Sequence, residues 1–109
     1  MICYQSDAEY KEMLPGIQRK DLVHGRHTQL CEFRLAAGAL LPNHHHPHEQ
    51  TGGLIQGRIR LTIDGQAHEF GAGDAWCIPG DVGHSVEVLE DAVVWEVFSP
   101  PREDYLSGA

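Results

Sequence analysis

One stretch in the middle of the chain constrains the fold more than any other. Residues 58–63 alternate strictly between polar and apolar side chains, and this period of two is typical of a β-strand with one buried face. Asp64 and Gly65 follow directly, and this dipeptide favours a hairpin turn because both residues tolerate a positive φ. The stretch therefore predicts a strand that ends in a tight turn.

The chain after residue 21 continues as short apolar runs separated by glycine, proline and aspartate, as in the turn signals at 71–74 and 79–81. Many short strands with frequent turns indicate an all-β sandwich or barrel. Helical spacing is weak except at residues 7–14, where Pro15 and Gly16 would end a short helix. The predicted strands are 22–24, 29–35, 51–56, 58–63, 75–78, 85–89 and 93–98.

The length of 109 residues predicts a single domain over residues 1–109. The net charge of -8 makes nucleic acid an unexpected partner, since an acidic surface repels phosphates. No apolar run of about 18 residues is present, so we expect no membrane span. Residues 1–11 carry no apolar block of signal-peptide length, which predicts a cytoplasmic protein.

The cysteines are three scattered residues, Cys3, Cys31 and Cys77, without a CxxC pair. We expect free thiols in a reducing compartment. Cys31 and Cys77 lie in apolar strand-like runs, where cysteine usually packs as a small hydrophobic side chain, so a nucleophilic role is not expected.

Four histidines occupy positions 44, 45, 46 and 48. Residues two apart in a strand point to the same side, so His44 and His46 can face one centre while His45 faces away, and Gln50 follows a turn that can return it to that centre. Such a cluster predicts a transition-metal site, with a solvated surface run as the alternative. The isolated histidines are expected to be exposed or locally hydrogen-bonded: His24, His27 and His68.

A carboxylate interrupts the last apolar strand, at residues 93–98. Glu96 and Phe98 share one face of it, opposite Val93, Trp95 and Val97. Burial would raise the pKa of Glu96 and make it a candidate acid or base. The alternative is that Glu96 faces solvent.

Arg102 follows Pro100 and Pro101, which form a rigid exit from that strand. A guanidinium group is suited to binding a carboxylate through two hydrogen bonds. The alternative for Arg102 is an exposed pair with Glu103 or Asp104.

Two separated motifs resemble those of the cupin superfamily. The first covers residues 38–57 and the second covers residues 73–88, with Gln50 where the family most often has Glu, Asp81 in place of Gly and Val88 in place of Asn. The resemblance implies a jelly-roll β-barrel that binds one divalent ion, with Zn, Ni, Mn, Fe and Co all open. Matching residues are Gly38, His44, His46, Gln50, Gly57, Gly73, Pro79 and His84; the implied metal ligands are His44, His46, Gln50 and His84.

Residues 44–50 and 98–106 together look like the small bacterial cupins of pectin and alginate breakdown, which linearise unsaturated uronates into open-chain keto sugars. The resemblance implies that Glu96 moves a proton, that Arg102 binds the substrate carboxylate and that Phe98 lines the pocket. That group has Asp where this chain has Glu96. An iron-dependent dioxygenase and a non-catalytic metal-binding or ligand-binding module remain as alternatives.

Four further expectations concern the surroundings of this site. A neutral Gln50 leaves the ion its full charge and makes it a stronger Lewis acid. Gly52 and Gly53 are expected to leave room for a ligand. A homodimer would cover sheet edges and outer apolar residues such as Trp95. The alternation of residues 58–63 leaves open whether Arg60 faces the pocket or solvent.

Overall fold

The computed structural model describes residues 1–107, and its regular elements are almost all strands. The first residues form a 3-10 turn over Gln5–Asp7. The strands are β1 (Lys11–Leu14), β2 (Ile17–His24), β3 (Gln29–Leu35), β4 (Leu40–His44), β5 (Glu49–Ile63), β6 (Gln66–Gly71), β7 (Ala75–Ile78) and β8 (His84–Ser99), and a short helix α1 (Glu103–Leu106) follows.

The two long strands, β5 and β8, organise the sheet. They pair antiparallel from Glu49↔Ser99 to Ile63↔His84. The second half of β8 also pairs with β3 and its first half with β4, while β5 pairs first with β7 and then with β6. The eight strands of residues 1–107 therefore make one antiparallel sheet that folds over itself, which confirms the predicted all-β jelly-roll barrel.

A bend at Gly57 allows β5 to cross from one half of the barrel to the other. The β5–β8 register shifts repeatedly between Leu54 and Ile59, as β-bulges do where a strand turns a corner. Gly57 has a φ of +90°, and a Cβ on it would overlap the backbone carbonyl of Asp91. This close approach requires the glycine that ends the first motif.

The barrel interior holds one main apolar cluster, drawn from most strands. The alternating segment 58–63 places Ile59 and Leu61 inside, at 1% and 2% exposure. Arg60 lies on the outer surface, where it pairs with Glu69 and Glu87. The most buried members of the cluster are Ile17, Leu54, Ile59, Leu61, Ile78, Val88, Ala92 and Val94.

Three predictions about the elements were wrong in detail. Residues 7–14 do not form the predicted helix: the 3-10 turn ends at Asp7, β1 begins at Lys11, and Gly16, with a φ of +77°, lies in the turn that joins β1 to β2. The two strands predicted at 51–63 are one bulged strand, as are those at 85–98. β4 and β6 were missed because both are exposed or only partly buried and show little apolar alternation.

The three cysteines are free thiols, as predicted, but only one has the burial expected of a core residue. Cys31 is fully buried, whereas Cys77 is exposed on β7. None of the helices formed by residues 1–107 has the length and apolar character needed to cross a membrane.

Candidate metal centre and adjoining cavity

Three histidines from two distant parts of the sequence meet at one end of β8. His44 is the last residue of β4 and pairs across the sheet with His84, the first residue of β8, while His46 follows β4 by two residues. The ring centroids of His44 and His84 are 4.2 Å apart, and those of His46 and His84 are 5.1 Å apart. One ring nitrogen from each residue lies within 4.8 Å of the other two.

The backbone fixes the orientation of all three rings. The Nδ1 atoms of His44 and His84 each lie 2.9 Å from the carbonyl oxygen two residues earlier, at Pro42 and Val82. Nδ1 of His46 lies 3.1 Å from the carbonyl of His48. A ring that donates Nδ1–H to a carbonyl leaves the lone pair of Nε2 free, which is the usual arrangement of metal-binding imidazoles.

Burial keeps the imidazoles of His46 and His84 in the neutral form that binds metals. Desolvation, followed by the nearby charge of Arg102, lowers the pKa of His46 to about 4. Desolvation also lowers the pKa of His84. The Nε2 atom of His84 is buried and has no hydrogen-bond partner within residues 1–107. Buried polar atoms are rarely left unpaired, so the site fits a cation that accepts this lone pair.

Gln50 places its side-chain oxygen beside one of these imidazoles. Its Oε1 lies 3.0 Å from Nε2 of His46, and its side chain also hydrogen-bonds to Glu96. This hydrogen bond lowers the pKa of Glu96, as a bond donated to the carboxyl group does, so the amide nitrogen faces Glu96 and the oxygen faces His46. With Nδ1 of His46 donating to a carbonyl, two lone pairs face each other across 3.0 Å, and a shared cation would remove this repulsion.

Glu96 lies inside the barrel, so the solvent-facing alternative is wrong. It is 6% exposed. In the paired strands Glu96 lies beside Gly52, which in turn lies beside Trp76. The indole Nε1–H of Trp76 donates to the Glu96 carboxylate at 3.2 and 3.4 Å.

Gly52 makes this contact possible. A Cβ at position 52 would overlap both Glu96 and the indole nitrogen of Trp76. The expectation that Gly52 leaves room for a ligand is therefore wrong, because the Glu96–Trp76 contact fills that space. A Cβ on Gly53 would meet only the carbonyl of Asp74, at 3.8 Å.

The environment of Glu96 gives it an unusual protonation equilibrium. Burial raises its pKa from 4.5 to about 8, although the hydrogen bonds from Gln50 and Trp76 act in the opposite direction. A carboxyl group with such a pKa exchanges protons readily near neutral pH, which suits an acid or base.

Arg102 lines the same cavity. It also forms an ion pair with Asp104, one of the two partners named in the alternative interpretation. Its Nε and Nη2 atoms donate to the two carboxylate oxygens of Asp104 at 3.2 and 2.9 Å. Its guanidinium carbon lies 4.1 Å from the ring centroid of Tyr105 and 5.2 Å from that of Phe98. The Arg102 side chain is 15% exposed, so the pair with Asp104 is partly shielded from solvent.

These groups open onto one cavity of about 230 Å³ inside the barrel. His46 contacts Gln50, which lines this cavity. The polar lining comprises His44, Gln50, His84, Glu96 and Arg102, and the apolar lining includes Leu14, Phe33, Leu35, Leu61, Val94 and Phe98. The cavity has room for a small molecule beside the imidazoles.

Several residues that shape the site were missed from the sequence. Trp76, Asp104, Tyr105 and Gln29 touch Glu96 or Arg102. Trp76 was recognised only as part of a strand, and Asp104 only as one of two possible partners of Arg102. In the sequence, only the glycine at position 52 hinted at the contact between Glu96 and Trp76.

Comparisons with known proteins agree on the fold and point to one group of relatives. Residues 31–98 match the family described as the Cupin domain. The pectin degradation protein KdgF of Dickeya dadantii (strain 3937) is 28% identical over 102 residues, covering 92% of this chain and 93% of that protein.

Two solved structures extend the comparison. KdgF from Halomonas sp. superposes with a TM-score of 0.91 at 29% identity and covers 96% of this chain and 97% of that chain. An RmlC-like cupin from Shewanella frigidimarina NCIMB 400 has the same TM-score of 0.91 at 24% identity, covering 95% of this chain and 94% of that one. At that identity, the second likeness concerns the fold alone.

Proposed function

The chain belongs to the cupin family, and from this membership and the geometry of its cavity we propose that it is a metal-dependent enzyme acting on a small carboxylated sugar. The reaction we propose is the linearisation of 4,5-unsaturated uronates. The support is the likeness to two KdgF proteins, one of them described as a pectin degradation protein, together with the groups that line the cavity.

The proposed metal ligands are His44, His46, Gln50 and His84. The unpaired Nε2 of His84 and the facing lone pairs of His46 and Gln50 support this assignment. A bound divalent ion supplies Lewis acidity toward hydroxyl and ring oxygens of the sugar.

The reaction moves protons without a net change in atoms. One proton leaves the anomeric hydroxyl as the bond between C1 and the ring oxygen breaks, and one proton is added at C4 as the C5–oxygen bond becomes a ketone. The protein must therefore accept a proton at oxygen and donate one at carbon. Glu96 is suited to both steps because its pKa of about 8 allows either form near neutral pH.

Arg102 and Phe98 are the proposed substrate-binding residues. Arg102 carries the positive charge that a uronate carboxylate requires, and it lines the same cavity as Glu96. Phe98 is 1% exposed, and its ring lies 5.9 Å from that of His46. It gives the sugar an apolar wall between the imidazoles and the guanidinium group.

One observation carries the proposal: of three clustered imidazoles fixed by backbone carbonyls, those of His44 and His84 line a cavity that is also lined by a buried carboxyl group of raised pKa and an arginine. A closed structural metal site needs neither of the last two groups. Their presence beside the imidazoles supports catalysis on an anionic substrate.

The test follows the ultraviolet absorbance of an unsaturated uronate with protein loaded in turn with Zn, Ni, Mn, Fe and Co. We expect at least one metal to accelerate the loss of absorbance and chelation to abolish that effect. Glu96→Gln should lower kcat by about 100-fold or more, as removal of an acid or base does. Glu96→Asp introduces the aspartate that the uronate-linearising cupins have at this position, and it is the matched control.

Other outcomes would support the alternatives. Oxygen consumption with iron but not with zinc would replace this proposal with a dioxygenase. Full ligand binding by Glu96→Gln, with no turnover by either protein under any metal, would favour a non-catalytic module.

The homodimer stays a prediction. Trp95 and Ile55 are 42% and 56% exposed, and burying such side chains stabilises subunit interfaces.

A further inference from the structure

We propose that Asp104 and Tyr105 are positioning residues for Arg102, which hold the guanidinium group so that its terminal edge is presented to a ligand carboxylate. The substrate class, a sugar acid, rests on the proposed function. The positioning itself is argued from the contacts around Arg102.

Asp104 binds only one edge of the Arg102 guanidinium group. Arg102 has five N–H donors. Asp104 accepts from Nε and from one hydrogen of Nη2, along the side of the group. The second hydrogen of Nη2 and one hydrogen of Nη1 lie along the terminal edge, whose geometry matches a second carboxylate. Asp104 therefore does not occupy the edge that a substrate would use.

The turn that carries Asp104 is itself held in place. The backbone N–H groups of Tyr105 and Leu106 both donate to the carbonyl of Arg102 at 3.1 Å. The Ser107 hydroxyl donates to the carbonyl of Asp104 at 3.0 Å. Arg102 and Asp104 are thus joined by backbone and side-chain bonds within a few residues, and little side-chain entropy remains to be lost when a ligand binds.

Tyr105 fixes the plane of the guanidinium group. Its ring is buried, at 7% exposure. The guanidinium carbon of Arg102 lies 4.1 Å from the ring centroid, and that of Arg19 lies 3.8 Å from it. Arg19 is bound in turn to Asp21 at 3.0 Å. An aromatic ring in contact with two guanidinium groups cannot move without disturbing both.

A third contact anchors the backbone of Arg102 to the sheet. Its N–H donates to Oε1 of Gln29 on β3 at 2.7 Å, and Gln29 is 2% exposed. The arginine is therefore fixed at its backbone, at one edge and on one face before any ligand enters. Such preorganisation favours a planar carboxylate over a neutral group of similar size.

The test uses Asp104→Asn, which keeps the size of the side chain but can accept hydrogen bonds from Arg102 at only one of its two terminal atoms. Glu103→Gln is the matched control, because it removes the same charge from an exposed residue one position earlier. The probe is galacturonate, a saturated uronate that lacks the reactive double bond, titrated into metal-loaded protein by calorimetry. Melting temperature and metal content are measured for each variant, so that a folding defect is recognised.

We expect Asp104→Asn to weaken galacturonate binding by about tenfold, the usual effect of losing a charge-assisted hydrogen bond. Glu103→Gln should leave the affinity unchanged, whereas Tyr105→Leu, which removes the ring on which the guanidinium group packs, should weaken galacturonate binding. In turnover of the unsaturated uronate, Asp104→Asn should raise KM by a similar factor while kcat changes little.

Tighter galacturonate binding by Asp104→Asn would overturn the proposal, since Asp104 would then be a competitor of the ligand. Equal weakening by Glu103→Gln would mean that the loss does not depend on the contact between Asp104 and Arg102, and no galacturonate binding by the parent protein would remove the carboxylate site. If absorbance is never lost but binding depends on Asp104 as described, the proposed reaction fails and the positioning role stands. If turnover occurs and is indifferent to Asp104, only the positioning role fails.

Discussion

The two sides of the cavity are fixed by different kinds of contact. On the histidine side, each imidazole is oriented by a backbone carbonyl two residues away in the sequence. The other side carries Glu96 and Arg102 and is called the acid side. There Glu96 is held by Trp76, 20 residues away, and Arg102 is anchored by Gln29, 73 residues away. Local backbone geometry thus builds the metal-facing side, and packing between strands builds the side that would move protons.

This difference predicts how the two sides respond to change. Carbonyl groups cannot be mutated away, so the histidine side should depend almost wholly on the imidazoles themselves. The acid side depends on side chains that can be altered one at a time, and it should fail in graded steps.

The largest effect is expected on the histidine side. His84→Ala removes a buried donor atom, and metal affinity should fall by more than about 100-fold, since even loss of an outer-shell partner costs tenfold to 100-fold. Elemental analysis of protein purified without a metal-affinity resin measures the result. His68→Ala, a change at an exposed histidine of β6, should keep its full metal content, and unchanged metal in His84→Ala would remove this residue from the site.

The next effect concerns the space between Glu96 and Trp76. Gly52→Ala places a Cβ where those two side chains meet, and we expect a loss of about 3 kcal/mol in the free energy of unfolding, typical of overpacking. Urea denaturation gives the value. Gly53→Ala is the matched control because its Cβ would meet only one backbone atom at 3.8 Å; similar losses in both variants would contradict the role given to position 52.

A pH series isolates the charge on Glu96. Its pKa in the folded protein, about 8, lies above its ordinary value of 4.5, so the folded state holds a proton that the unfolded state releases. Stability from this group should fall as the pH rises from 4.5 to 8, by at most about 1.4 kcal/mol per pH unit.

Comparison with Glu96→Gln separates this effect from the histidines, whose lowered pKa values make stability fall as the pH drops below about 6.5. Both proteins share the histidines, so the difference between their urea-unfolding profiles, measured with a chelator, reports Glu96 alone. Parallel profiles from pH 5 to 8 would mean that Glu96 is ionised throughout.

The smallest effect concerns a single hydrogen bond. Trp76→Phe removes the indole N–H that Glu96 accepts but keeps an aromatic ring, and we expect a loss of about 1 kcal/mol in stability at pH 8. The loss should shrink at pH 5, where Glu96 is neutral and binds the indole less strongly. A loss that is the same at both pH values would assign it to packing instead.

The sequence by itself determined the parts of this protein that depend on local geometry. The alternation at residues 58–63 and the Asp64–Gly65 turn indicated an all-β fold, and the spacing of His44 and His46 indicated that both face one centre, although His46 lies just beyond the end of β4. The predicted helix at residues 7–14 failed because pairing with β2 gives β1 its structure, and four residues carry too weak an intrinsic preference to resist such pairing.

Only the tertiary structure decided what surrounds Glu96 and Arg102. The alternation of residues 93–98 showed which residues share a face with Glu96, but not that this face is the interior. The strand register β8–β5–β7 places Gly52 between Glu96 and Trp76, and no pattern within a single strand encodes register across a sheet. The pKa of Glu96 depends on this burial, and the backbone of Arg102 is anchored by Gln29, 73 residues away. Both properties arise from contacts between segments that are distant in sequence, so they exist only once the sheet has closed.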